Sequence, residues 1–206
     1  MLTLHHLNNS GSQRILWLLE ELGVPYEIVH YTRNMGAAPP ELKGIHPLGK
    51  SPIVTDGKHA IAESGAIMEY ILETYGQGRL KPKPGTDEHI AYLQWIHYAE
   101  GSVMRWVSFN LIAGLFGEGA APLKPFIEML LAPHLAYIDQ SLTGRTYLIG
   151  DMLSGADILM SFPLETAQAT NVLGAYPAAT AYLERIHARP AYQRALEKGG
   201  PFDLRL

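Results

Sequence analysis

Between His46 and Ile71 the chain reads HPLGKSPIVTDGKHAIAESGAIMEYI, a stretch that leaves the backbone few choices. Pro52 stands just before the apolar pair Ile53-Val54, so it opens a strand, a place where a residue that cannot donate a ladder hydrogen bond is tolerated. Asp56-Gly57, flanked by Ile53-Val54 and Ala60-Ile61, predicts a tight antiparallel hairpin. Glu63-Ser64-Gly65 predicts a helix start, because Ile67, Met68, Ile71, Leu72 and Tyr75 recur at helical spacing and Gly76 marks the end. Two local chemistries follow. With Ser51-Pro52 in cis, the turn presents the Ser51 N–H and C=O to an extended peptide, which can pair with them as an added strand. The helix N-terminus beside the Ser64 hydroxyl is a site for a carboxylate.

The preceding residues build toward that stretch. Leu2 to Leu7 alternates weakly and predicts a first strand, ended by the turn residues Asn8 to Ser12. From Ser12 the apolar positions Ile15, Leu16, Leu18, Leu19 and Leu22 trace one helix face; Ser12 stands where a cap is needed, and Gly23 closes the helix. Tyr26 to Tyr31 predicts a second strand, parallel to the first across a right-handed crossover. Thr32 to Gly44, which contains Gly36 and Pro39-Pro40, predicts an irregular loop with a short helix at most.

From Gly76 to Gly85 both periodicities vanish and glycine and proline cluster, which marks a linker. Beyond it the period is helical over Asp87 to Phe116, Pro122 to Leu142, Ser154 to Gln168, Tyr176 to Ala188 and Pro190 to Lys198. Ser154-Gly155-Ala156-Asp157 has the form of a capping box, a folding device worth roughly 1 kcal/mol. The expected division is an α/β domain over 1–78, a linker over 79–86 and an all-α helical bundle over 87–206.

Composition removes several functions. A chain of 206 residues, 47% hydrophobic and 17% charged, suits one large or two small globular domains. Its 16 basic against 20 acidic residues, with no basic run, do not point to nucleic acid. The absence of cysteine excludes disulfides, thiolate metal ligands and cysteine nucleophiles, so any thiol must come from the ligand. The nine histidines form no His-x-x-x-His with a glutamate on one helix face, and no metal is expected. The opening residues lack a charged region followed by an apolar run, and no stretch approaches the length of a membrane span. The expectation is a cytoplasmic protein with no membrane partner.

An X-Pro opening a strand, a tight hairpin and then Glu63-Ser64 opening a helix together resemble the glutathione-binding half of the cytosolic glutathione S-transferases, and the likeness extends over essentially the whole chain. The resemblance implies a thioredoxin-like first domain that takes glutathione as co-substrate. It implies that the cysteinyl backbone lies against Ser51 before a cis-Pro52, that Glu63 accepts the α-ammonium of the γ-glutamyl group, and that Ser64 with its amide holds the carboxylate. Lys50 is then a candidate for the glycyl carboxylate, although a lysine before a turn also reads as merely solvated. Ser10-Gly11-Ser12-Gln13-Arg14 resembles the serine-type members, bacterial or fungal. That implies Ser10 as the thiol-activating residue with Arg14 supporting its loop. Asn9 and Ser12 are the alternatives, and the plain reading of Ser10 is a turn residue or cap. No tyrosine stands between Met1 and Val24, so a phenol from the first strand cannot serve. The family also implies a homodimer.

The implied chemistry needs little machinery. A thiol of pKa ~8.5 is only about 3% ionised at pH 7, and lowering it by ~2 units takes ~2.7 kcal/mol of added interaction with the thiolate. One hydrogen bond to a charged acceptor contributes roughly 1.5–3 kcal/mol and a helix N-terminus about 0.3–1, so one hydroxyl suffices without a general base. The electrophile is expected in an apolar pocket fed by the Ser10 loop and the Asp87 helix, with Tyr98 and Met104 as candidate lining residues. Trp95, Trp106 and their aromatic neighbours read as core or as a two-fold interface. The function expected is addition of glutathione to a small hydrophobic electrophile, with peroxide reduction as a further use of the thiolate. The alternative is a non-catalytic binding or regulatory module that keeps the binding motif and dispenses with the activating donor.

Overall fold

The computed structural model describes residues 1–33, 37–200 and 202–204; Gly36 of the expected loop lies outside the described residues. Two compact units form, one from Met1–Arg79 with Ala188–Asp203, the other built on Leu80–His187. In the first, β1 (Thr3–Leu7), α1 (Ser12–Leu22) and β2 (Glu27–Tyr31) make the expected strand-helix-strand unit, β1 and β2 being parallel with Thr3 opposite Glu27. Gly23 ends α1 at φ 64°, a left-handed value that glycine takes freely. A short 3-10 helix at Pro40–Gly44 buries Leu42 against Leu7 and Ile53. β3 (Ile53–Asp56) and β4 (His59–Ala62) form the antiparallel hairpin, closed over Gly57-Lys58. Because β3 also pairs antiparallel with β1, the sheet order is β2-β1-β3-β4. α2 (Ser64–Tyr75) ends at Gly76, where a Cβ would stand 2.3 Å from the Leu72 carbonyl oxygen.

The second unit is helical. A single helix is expected over 87–116, but a π-helical turn at Ala99–Val103 divides it into α3 (Asp87–Tyr98) and α4 (Met104–Phe116), with the Met104 N–H bonding back to Ala99 O. Trp95 is covered within the chain, stacked on Tyr137 at 5.2 Å between ring centres and edge-on to Tyr98 at 5.6 Å. α5 (Lys124–Leu142), α6 (Gly155–Ala169) and α7 (Pro177–His187) follow, and α6 is buried nearly throughout. Its start is the expected capping box with more attached. One Asp157 oxygen accepts from Ser154 N–H and Ser154 Oγ, each at 2.8 Å; the other accepts from Leu148 N–H and Tyr182 OH, each at 2.9 Å. Burial pushes the Asp157 carboxyl up, and these donors pull the other way.

The last helix, α8 (Pro190–Gly199), belongs to the first unit, whereas the sequence reading carries the helical half through to 206. Its amphipathic face covers α1, which is why Ser12 to Glu20 and Leu22 are all buried although only one face of α1 reads as apolar. Trp17 meets Tyr192 edge to face at 5.5 Å, Glu21 pairs with Arg189, and Glu20 accepts from Arg194 Nε at 3.0 Å and Lys198 Nζ at 2.5 Å. Gly199 leaves no space for a side chain: a Cβ there would stand 2.6 Å from Gln13 Oε1.

Candidate active site

Where β1 turns into α1, serine hydroxyls from separate segments meet. Ser10 Oγ donates to Leu7 O at 2.8 Å and lies 2.9 Å from Ser12 Oγ and 3.0 Å from Ser51 Oγ. Ser10 also serves the first turn of α1, its Oγ accepting from Ser12 N–H at 3.2 Å and its carbonyl from Gln13 N–H at 3.1 Å. This corrects the expectation that Ser12 is the cap. Ser12 lies inside the helix, and its hydroxyl turns back to β1, accepting from Leu7 N–H at 3.2 Å and meeting His6 Nδ1 at 3.0 Å. Asn9 takes φ 50°, a value asparagine tolerates, and its Oδ1 accepts from Asp203 N–H at 2.9 Å. The Asn9 side chain thus ties the loop to the segment after α8.

The Ser51-Pro52 bond is cis, with Pro52 buried and Ser51 half-buried. Glu63 stands at the N-cap of α2 with φ 71° and ψ 120°, a conformation that costs a non-glycine residue about 1–3 kcal/mol. Its side chain makes no capping bond and is exposed. Ser64 is buried and accepts from Arg14 Nη2 at 2.8 Å. Arg14, read from sequence as support for the Ser10 loop, therefore reaches the start of α2, where a helix N-terminus, a hydroxyl and a guanidinium face one another. That combination suits a carboxylate. Lys50 is exposed.

His6, which the sequence reading treats only as half of a histidine pair on a strand, enters the serine network. Its Nε2 lies 3.1 Å from Gly199 O, and burial, with the nearby His30, pushes its pKa down to about 4. Strand alternation puts His6 and Leu4 on one face, and that was the available signal.

The two candidates for the hydrophobic pocket lie in the helical unit. Tyr98 OH is 2.6 Å from His134 Nδ1, and burial together with Tyr137 raises its pKa to about 12. Met104 opens α4, half-buried, directly after the π turn. A cavity of about 690 Å³ in this unit is lined by residues that include Asn110, Gly114, Lys124 and Thr170, and neither Tyr98 nor Met104 is among them. Among the described residues no group of three or more His, Asp and Glu is placed to hold a metal, and no helix is long and apolar enough to cross a membrane.

A mixed sheet with a cis-proline ahead of β3, a Glu-Ser helix start and a helical unit after it define a thioredoxin-like domain followed by a helical domain. Family models agree: the glutathione S-transferase N-terminal domain matches residues 2–73 and its C-terminal domain residues 130–190. Glutathione S-transferase 3 of Schizosaccharomyces pombe is 36% identical over 96% of this chain and 88% of its own. A crystal structure of a glutathione S-transferase from Actinobacillus pleuropneumoniae superposes with a TM-score of 0.90 at 36% identity, covering 99% of this chain and 95% of that one. A family member from Pseudomonas fluorescens, solved with two glutathione bound, gives 0.82 at 25% identity over 95% of this chain and 92% of that one. The chain belongs to the glutathione S-transferase family and is an enzyme of that family.

Proposed function

We propose that this chain binds glutathione in extended form along Ser51, holds its thiolate with Ser10, and adds the sulfur to the electrophilic carbon of a small hydrophobic compound. The observation that carries this reading is the 3.0 Å meeting of Ser10 Oγ with Ser51 Oγ, which sets the candidate thiol donor beside the residue preceding cis-Pro52. The cysteinyl backbone pairs with the Ser51 backbone. The γ-glutamyl carboxylate takes the Ser64 hydroxyl and the α2 amides, with Arg14 behind them, and Glu63 accepts the α-ammonium. Lys50 meets the glycyl carboxylate in solvent. The Ser10 hydrogen, resting on Leu7 O, swings to the sulfur as the thiol proton leaves for water. A carbon–sulfur bond then forms, and where the carbon bears a leaving group, that group departs with its bonding pair. With a peroxide, the same thiolate takes the terminal oxygen, the other half of the O–O bond leaves with the bonding pair and is protonated by water to the alcohol, and a second glutathione converts the resulting sulfenic acid to the disulfide and water.

A homodimer in the cytoplasm, serving detoxification, belongs to the same proposal. Phe109, Ile112 and Phe116 of α4 are 47%, 46% and 70% exposed, which supports the homodimer. Sedimentation equilibrium at micromolar concentration should give twice 22.7 kDa, and a mass equal to that value would refute the dimer. The site is tested by a thermal-shift titration with glutathione followed by a panel of halogenated aromatic and hydroperoxide substrates. Glutathione should raise the melting temperature and the panel should show turnover. A melting temperature unmoved by millimolar glutathione overturns the reading, and binding without turnover on any substrate favours the non-catalytic module.

A further inference from the structure

The serine cluster continues inward to a residue that the transfer chemistry leaves without a role. From Ser51 Oγ the oxygens run 3.0 Å to Ser10 and 2.9 Å to Ser12, and from Ser12 it is 3.0 Å to Nδ1 of His6. His6 is 2% exposed, and its other ring nitrogen lies 3.1 Å from Gly199 O. A carbonyl can only accept, so Nε2 carries the hydrogen and Nδ1 of the neutral ring offers a lone pair. The depressed pKa of His6 agrees with a ring that stays neutral.

The hydroxyl hydrogens then have an order. The two lone pairs of Ser10 Oγ are taken by Ser12 N–H and the Ser51 hydroxyl, so the Ser12 hydrogen needs another acceptor. Two stand in reach, His6 Nδ1 at 3.0 Å and Leu7 O at 3.1 Å. When it goes to His6, it stays off Ser10 Oγ, whose own hydrogen rests on Leu7 O and must turn to sulfur. Without His6, the Ser12 hydrogen falls back on Leu7 O, which has a lone pair for each serine, or displaces the Ser51 hydroxyl from Ser10 Oγ and breaks the chain to Ser51. We propose that His6 is a positioning residue for Ser10, ordering the His6–Ser12–Ser10–Ser51 relay so that the Ser10 hydroxyl is presented as a donor to the bound thiol. This inference rests on the reading of Ser10 given above.

The test is a titration of the thiol of bound glutathione, followed by thiolate ultraviolet absorbance, in the full-length protein. His6→Phe keeps a ring and removes both nitrogens. It should raise the thiol pKa by about one unit, from ~6.5 to ~7.5, which is about a threefold lower thiolate fraction at pH 7, and lower kcat with little change in KM for glutathione. His6→Gln, which retains a donor and an acceptor, should recover most of the loss. Should His6→Phe fail to fold, His6→Leu asks the same question, and adding Ser12→Ala to either variant removes the misdirected hydrogen and should bring the thiol pKa back toward the wild-type value. Ser10→Ala separates the two claims. If it leaves the thiol pKa unchanged, the Ser10 reading falls and the relay with it. If Ser10→Ala raises the pKa while the His6 variants do not, or if Ser12→Ala fails to reverse their effect, the relay alone is overturned.

Discussion

Glu63 is held at φ 71° by its neighbours: its carbonyl accepts the Ile67 N–H at 2.9 Å, and Ser64 beside it is fixed by Arg14. Strain of this kind at an exposed acidic residue fits a backbone selected for a ligand over stability. Glu63→Gly should therefore stabilise the protein by about 1 kcal/mol in urea unfolding while weakening glutathione binding. Ser64→Ala should cost about 1–3 kcal/mol of binding free energy, the loss of a charge-assisted bond. Isothermal titration reads both, and unchanged dissociation constants in the two variants would remove this helix start from the site. These positions are legible in sequence because the signal is local, a proline, a hairpin glycine and a helix start within a few residues. The partners of Arg14 and His6 are not, since Ser64 and Gly199 lie 50 and 193 residues away and strand or helix period says only which face each residue takes.

At the scale of elements, α6 shows how much a short motif can understate. As a cap, Ser154-x-x-Asp157 is worth roughly 1 kcal/mol. In the fold the same carboxylate also holds the Leu148 amide and the Tyr182 hydroxyl, so Asp157→Ala leaves several buried donors unpaired and should cost at least about 3 kcal/mol by urea unfolding. A cost near 1 kcal/mol would return Asp157 to a simple cap. The β1–α8 clasp carries a pH dependence. His6 has a folded pKa of about 4 against 6.5, so between those values the unfolded chain binds the proton more readily and stability is lost as pH falls. The loss from pH 7 to pH 5 should be roughly 2 kcal/mol, and His6→Phe should flatten it; equal slopes in both proteins would show that other groups carry the effect. Glu20 adds to it at lower pH: burial works against its charge, but bonds from Lys198, Tyr26 and Arg194 hold its carboxyl below the usual range. Its contribution is present above 4.5 and fades as acid is added. Element types were legible because periods of 2 and 3.6 differ plainly. The π turn at Ala99–Val103 was not, since one widened turn leaves the apolar pattern on either side intact.

In the molecule as a whole, the segment Ala188–Asp203 completes the unit that begins at Met1, while the second unit is built on Leu80–His187. Nothing in the amphipathic period of α8 names its partner, and so the sequence assigns it to its neighbours. Tyr192→Ala, which removes the ring against Trp17, should destabilise the protein by about 3 kcal/mol, and hydrogen exchange should place the lost protection in α1 and β1. Loss confined to α7 would contradict the assignment. A ribosome adds residues in order, and domains usually mature N-terminal first. Here α1, with Trp17 wholly buried in the finished fold, must wait uncovered until Pro190–Gly199 leaves the exit tunnel. The half of the nascent chain made first is thus the half finished last, and for most of translation it offers a chaperone an apolar helix.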